Sequence, residues 1–370
     1  MKVLLVTNDF PPTIGGIQSY VRDFLATLDP RDVIVFASTQ DALAAAAWDA
    51  ESPYTVVRWP HRVMLPTPAT AREMARLIRE HEVDTIWFGA AAPLALMAGQ
   101  ARAAGARKIV ASTHGHEVGW SMLPVARQCL GVIGQRCDVV TYISEYTRRR
   151  LARPFGRGTR FAHLPSGVAA DAFLSPAPEA LAAFRQRWGL ESGPVVSCIS
   201  RLVPRKGQDA LIKVWPKIRE RFPAAQLLIV GDGSYCTRLK KMAGNGVVFT
   251  GRVSDEERLC ALAISDVFAM PARTRGWGLD VEGLGIVYLE AQAARCAVIA
   301  GNSGGAPETV TPESGRVIDG RNLASLEHEL LTLLSDGTLR AAMGEAGLRN
   351  VRENWTWEQL GARFQEVLRP

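Results

Sequence analysis

Glu282 and Glu290 stand eight positions apart in the segment Gly278-Leu-Asp-Val-Glu-Gly-Leu-Gly-Ile-Val-Tyr-Leu-Glu290. Gly283 and Gly285 loosen the backbone after the first carboxylate, and the apolar run Ile286 to Leu289 then predicts the opening turn of a buried helix. That layout puts Glu282 in a loop at a helix mouth and Glu290 about one turn inside. The amides of Gly285, Ile286 and Val287 face the same pocket, at a helix N-terminus suited to an anion. Carboxylates on either side of such a pocket suit a ligand that carries both hydroxyls and phosphate, as a nucleotide sugar does.

A second group is basic. Ser200-Arg201-Leu-Val-Pro-Arg205-Lys206-Gly-Gln follows a strand and precedes a helix. Ligands of open parallel sheets bind beyond the carboxyl ends of the strands, so Arg201 and Lys206 are expected to face the ligand. Arginine grips a diphosphate bidentately and lysine adds a compact charge. Arg205 between them is expected to be solvated. Gly251-Arg252-Val253, after another strand, offers backbone groups to a nucleobase edge.

Nearer the start, Asn8-Asp9-Phe-Pro-Pro-Thr-Ile-Gly15-Gly16-Ile-Gln18 joins the first strand to the first helix, and its paired glycines let a ligand approach the backbone. This is not the Gly-x-Gly-x-x-Gly dinucleotide fingerprint, which argues against an NAD enzyme. Ser112-Thr-His114-Gly-His116-Glu117 places a histidine at another strand end, able to hydrogen-bond a sugar. His116-Glu117 lacks a third metal ligand, and there is no Asp-x-Asp pair. Nothing resembles a Ser-His-Asp triad or a Cys-His pair.

The elements that must position these groups alternate as short apolar strands and amphipathic helices, the pattern of doubly wound parallel sheets. Strands are expected at Val3–Thr7, Asp32–Ala37, Thr55–Trp59, Thr85–Phe88, Lys108–Ser112 and Val139–Ile143. After a linker-like stretch, Leu164–Pro178, the alternation restarts with Val195–Ser200, Gln226–Val230, Val247–Phe249, Val267–Met270 and Ala297–Ala300. The expectation is an α/β protein of two Rossmann-like domains facing across a cleft. Residues 1–166 are expected to form the first domain and 167–353 the second, with a last helix, 354–370, packing back on the first. The family resemblance given below implies that the first binds the acceptor and the second the nucleotide sugar.

At 370 residues, 47% hydrophobic and 22% charged, the chain has ordinary globular composition, and no apolar run reaches the ~20 residues of a membrane span. The six cysteines show no metal or Cys-x-x-Cys spacing, so reduced thiols and a cytoplasmic protein are expected. The net charge of +6 implies an anionic neighbour. No nucleic-acid recognition motif is present, so the charge by itself points to an anionic neighbour, an anionic membrane surface included, and to nothing more specific. Two segments are candidates for that contact: Arg72–Arg79, with Met74, Leu77 and Ile78 on its other face, and the arginines 148–150, 153, 157 and 160.

Taken in order, Gly15-Gly16, His114, Arg201, Lys206, Glu282 and Glu290 resemble the pattern of retaining glycosyltransferases of family 4, which have the GT-B fold. The resemblance covers essentially the whole chain and narrows to members that build phosphatidylinositol mannosides, through the stretches starting at Trp87, Ser112, Arg201 and Asn302. It implies a GDP-mannose donor, a phosphatidylinositol monomannoside acceptor and an alpha-1,6-linked dimannoside product, with no metal or other cofactor. Arg201 and Lys206 would hold the diphosphate, Glu290 the ribose and Glu282 the mannose hydroxyls. Gly16 would approach the diphosphate, His114 the transferred sugar, and Asp9 and Gln18 the acceptor inositol. The enzyme is then expected peripherally at the inner face of the plasma membrane. Trp277 departs from the pattern, which has a small residue beside Gly276 and Gly278. A nucleotide-sugar epimerase on the same fold, or a transferase with another glycolipid or a small acceptor, are the alternative expectations.

Overall fold

The computed structural model describes residues 1–370 except Ile14, Leu174 and Ser175. Ile14, in the glycine loop, and Leu174 and Ser175, in the expected linker, therefore lie outside the described residues. The chain divides into two compact units, Met1–Ser166 with Trp357–Pro370, and Gly167–Thr356.

The first unit holds Val3–Thr7 (β1), Val33–Ser38 (β2), Thr55–Trp59 (β3), Thr85–Phe88 (β4), Lys108–Ser112 (β5), Val139–Tyr142 (β6) and Phe161–His163 (β7). They form one parallel sheet in the order β3-β2-β1-β4-β5-β6-β7. The central β1 is buried at every residue, as a strand covered by helices on both faces must be. Its period-two alternation feeds two cores. Leu4 and Val6 pack with Met74, Leu77 and Ile78 of the helix Pro68–Glu80, while Val3 and Leu5 pack with Phe24, Leu360, Phe364 and Leu368. The last three belong to the helix Trp357–Leu368, which begins later than expected because Asn354 still ends the preceding helix. Phe364 lies 4.6 Å from Trp87 and 4.9 Å from Phe24, ring to ring, and Thr85 Oγ1 donates to the Leu368 carbonyl at 2.9 Å.

The second unit holds Val195–Ile199 (β8), Gln226–Val230 (β9), Val247–Gly251 (β10), Val267–Met270 (β11), Ala297–Gly301 (β12) and Gly315–Ile318 (β13), parallel in the order β10-β9-β8-β11-β12-β13. Much of the expected linker is packed into this unit. Val168 donates its N–H to the Trp355 carbonyl at 2.7 Å, and Val168, Ala170 and Phe173 are buried. In each sheet the strand order reverses direction beside the first strand of the unit, between β1 and β4 and between β8 and β11, and the loops at such switch points form a ligand crevice.

Candidate active site

In the second unit the loop after β8 turns at Gly207 (φ 81°), where an added Cβ would lie 2.1 Å from the Pro271 carbonyl oxygen. This close approach sets the basic loop against the segment that follows β11, and it brings the expected charges together. Lys206 is buried, and its Nζ lies 2.6 Å from Glu282 Oε2. Arg205, expected in solvent, is instead the second cation on that oxygen, with Nη1 at 2.7 Å, and its Nε reaches Asp280 Oδ1 at 3.1 Å. Sequence offered no sign of this, because spacing along the chain does not report that Asp280 and Glu282 return beside Arg205. Arg201 is exposed and has no side-chain partner among the described residues.

Burial opposes the charge on Glu282, but Lys206 and Arg205 outweigh it and hold the carboxyl below the usual range. Burial also depresses the Lys206 ammonium, an effect that Glu282 counters. Glu282 is fixed from behind by the loop after β12, which the sequence did not mark as part of the site. Glu282 N–H donates to Ser303 Oγ at 3.3 Å and its carbonyl accepts the Gly305 N–H at 3.0 Å. Gly304 (φ 57°) is required there, since a Cβ would stand 1.8 Å from the Glu282 carbonyl oxygen. Oε2 is thereby committed to the two cations, and Oε1 has no hydrogen-bond partner among the described residues.

The helix Ile286–Ala293 opens at Gly285 (φ 87°) with no side-chain cap. Tyr288 N–H donates back to Gly285, which leaves the amides of Ile286 and Val287 without an acceptor among the described residues. Glu290 sits five residues into this helix, its Oε1 2.7 Å from Arg258 Nη1 of the helix Asp255–Ala263. The Arg258 guanidinium in turn covers the Phe173 ring at 5.5 Å. Val253, just before that helix, is half-buried and leaves its backbone groups unpaired among the described residues.

Burial raises the Glu290 carboxyl above its ordinary value of 4.5, against the pull of Arg258. A carboxyl with a raised pKa loses its charge at a higher pH than an ordinary glutamate. If Glu290 accepts ribose hydroxyls, GDP affinity falls as pH drops through that raised value. Calorimetry with GDP checks this: Glu290→Gln binds weakly throughout and lacks the acid-side loss, and an identical pH profile in the variant and the parent would contradict the role.

In the first unit the residues after β1 and β5 meet. Gln18 Nε2 donates to Asp9 Oδ1 at 2.9 Å, and burial raises the Asp9 carboxyl while His114 and His116 pull it down. His114 Nε2 lies 2.6 Å from the Gly89 carbonyl oxygen, and its ring meets Tyr20 edge-on at 4.7 Å. A carbonyl only accepts, so Nε2 carries the proton and Nδ1 remains an acceptor. Burial lowers the His114 pKa and favours this neutral form. Glu117, missed as a positioning group, accepts the His114 and Gly115 amides on Oε2 at 3.1 Å each. A Cβ added at Gly16 would meet none of the described residues within 4 Å.

The helix expected at a membrane does not present its apolar side. Met74, Leu77 and Ile78 are buried against the sheet, and Arg76 is paired with Glu73 and Glu80. The amphipathic pattern there is that of a core helix. Arg148 is also paired, with Glu145 at 2.7 Å, whereas Arg149, Arg153, Arg157 and Arg160 are exposed. Among the described residues no helix is long and apolar enough to cross a membrane, and no three His, Cys, Asp or Glu are grouped to hold a metal ion.

Two Rossmann-like parallel-sheet units with these loop clusters have the architecture of the GT-B glycosyltransferases. Residues 14–172 match the family described as Glycosyltransferase Family 4, and residues 182–350 match glycosyl transferases group 1. Anabaena HepE, solved in complex with UDP, shares the fold at a TM-score of 0.83 with 19% identity, over 100% of this chain and 99% of that one. The GDP-mannose-dependent monoacylated alpha-(1-6)-phosphatidylinositol monomannoside mannosyltransferase of Corynebacterium glutamicum is 57% identical over 99% of this chain and 97% of its own. The GDP-mannose-dependent alpha-(1-6)-phosphatidylinositol monomannoside mannosyltransferase of Mycolicibacterium smegmatis is 53% identical over 99% and 98%. The chain belongs to glycosyltransferase family 4.

Proposed function

We propose that this protein transfers mannose from GDP-mannose to phosphatidylinositol monomannoside, with retention, giving the dimannoside linked alpha-1,6 to inositol. The observation that carries this reading is the near-full-length likeness to relatives named for that donor and acceptor, and the charges of the site suit it. Arg201 and Lys206 bind the diphosphate, and the amides of Ile286 and Val287 add donors. Glu290 accepts from the ribose hydroxyls, and Val253 offers its backbone to the base. Glu282 accepts from the mannose hydroxyls through Oε1 while Oε2 keeps its two cations.

As the C–O bond to the diphosphate breaks, positive charge grows at the anomeric carbon and negative charge on the leaving phosphate. Arg201, Lys206 and the helix amides stabilise the latter, in a site where such donors are already oriented. No side chain acts as nucleophile in this scheme. The acceptor hydroxyl attacks from the face the phosphate leaves, and a phosphate oxygen takes its proton. In the first unit Gly16 suits a close phosphate, His114 accepts a sugar hydroxyl on Nδ1, and Asp9 with Gln18 holds the inositol. Because the acceptor is a lipid, the reaction takes place at an anionic membrane surface, the inner face of the plasma membrane.

The reading is tested by offering GDP-mannose and UDP-glucose in turn, with phosphatidylinositol monomannoside in detergent, and separating the lipid products. Dimannoside from GDP-mannose alone is expected, at an unchanged rate in excess EDTA, because protein cations neutralise the diphosphate. Activity lost in EDTA and restored by magnesium would refute metal independence, and no lipid product from either donor would refute the reading itself.

A further inference from the structure

The hairpin Arg275–Asp280 of the second unit follows β11, and the chemistry above uses none of its tip. Arg275 N–H donates to the Asp280 carbonyl at 2.9 Å and Asp280 N–H returns a bond to Arg275 at 3.2 Å. Between them Gly276 (φ 55°), Trp277 (φ 56°) and Gly278 (φ 90°) all take left-handed backbone. Glycine adopts that conformation freely, whereas tryptophan is strained in it. The indole at this strained tip is nevertheless 96% exposed, and Leu279 beside it is 54% exposed. Strain kept where no core packing rewards it points to a use outside the chain.

At the base of the hairpin a cavity of about 370 Å³ is lined by Lys213, Arg273, Arg275, Arg321 and Leu323. Two carboxylates answer these four cations. Asp209 takes Arg273 at 2.6 Å and lies 4.0 Å from Lys213, and Asp280 is 3.7 Å from Arg275. Arg321 donates to the Thr274 carbonyl, which ties the turn after β13 to the root of the hairpin, and its guanidinium has no carboxylate partner among the described residues. Asp319 is turned to the Arg321 amide, at 3.0 Å. The hairpin that carries this aromatic tip thus begins at Arg275 in the wall of a cavity with surplus positive charge.

We propose that this hairpin and cavity form a contact of the second unit with an anionic lipid surface. Trp277 and Leu279 enter the headgroup layer, where an indole finds both apolar contact and a hydrogen-bond partner. Arg275, Arg321 and Lys213 take the lipid phosphate, for which a guanidinium has matching geometry. The proposal rests on the lipid acceptor of the preceding section.

The test is sedimentation of the full-length protein with phosphatidylcholine vesicles, with and without phosphatidylinositol. Trp277→Gly, which relieves the strained backbone, is expected to lower partition onto the anionic vesicles about tenfold. Neutralising Arg275 and Arg321 to glutamine lowers it about fivefold for each, and adding salt reproduces that loss in the parent. Variants that sediment like the parent overturn the contact. So does a Trp277→Gly protein whose only change is lost self-association in analytical ultracentrifugation, since a second copy would then cover the tip. Transfer to detergent-dispersed acceptor separates the two questions. Its absence in the parent refutes the activity, while its persistence in Trp277→Gly beside unchanged vesicle binding refutes the contact alone.

Discussion

Lys206→Ala is expected to abolish mannosyl transfer and to lower the stability of the second unit, whereas Arg201→Ala abolishes transfer without a measurable change in thermal unfolding. The contrast follows from burial. Lys206 is a buried cation on Glu282, so its removal leaves Glu282 with Arg205 as its one remaining partner. Breaking a buried pair from one side costs about 3–5 kcal/mol, although Arg205 keeps the loss near the lower figure. Arg201 is exposed and unpaired among the described residues, so its loss is felt only when phosphate is bound. A charge-assisted contact is worth about 1.5–3 kcal/mol, which is roughly 10- to 150-fold in GDP affinity. Thermal unfolding and GDP calorimetry on both variants check this. Equal melting temperatures for the two, or parental turnover in either, would contradict it.

Glu282→Gln reverses the sign of the same interaction. Buried Lys206 loses its carboxylate, while half-buried Arg205 keeps Asp280, so the cost is again near the lower end of about 3–5 kcal/mol. For a unit of this size each kcal/mol moves the melting temperature by about 2–4 °C, so a fall on the order of 10 °C is expected. GDP should bind this variant at least as well as the parent, because its diphosphate no longer competes with Glu282 for the cations, and saturating GDP should recover much of the lost stability. Transfer is slow even so, since glutamine cannot accept from the mannose hydroxyls as a carboxylate does. Weakened GDP binding, or unfolding that GDP leaves unchanged, would show that Glu282 does not hold these cations in the way described.

What the sequence disclosed and what it hid divide along physical lines. The runs Val3–Thr7, apolar up to its last residue, and Val267–Met270, apolar throughout, announce buried central strands, and those strands are central or next to central. Phe161–His163 and Gly315–Ile318 are edge strands, short and mixed in polarity, and no periodicity betrays them. The places of Arg201 and Lys206 in the loop after β8, of Glu282 before a helix and of Glu290 inside it were legible from residue type and element order. Their partners were not. Arg205 meets Glu282 and Asp280 across 77 and 75 positions, and Arg258 reaches Glu290 from another helix. Ser303 and Gly304 act through the backbone of Glu282, a role that carries no charge pattern. The segment Arg72–Arg79 misled because a helix packed on a sheet and a helix lying on a membrane share one amphipathic pattern, and only burial of Met74 and Leu77 separates them.

The most direct test of the central claim is the anomeric configuration of the product. Proton NMR of the lipid formed from GDP-mannose and phosphatidylinositol monomannoside should show one new alpha-mannosyl residue, linked to the 6-position of inositol. A beta-linked mannose, or mannose released to water with the acceptor unchanged, would contradict retaining transfer by this site.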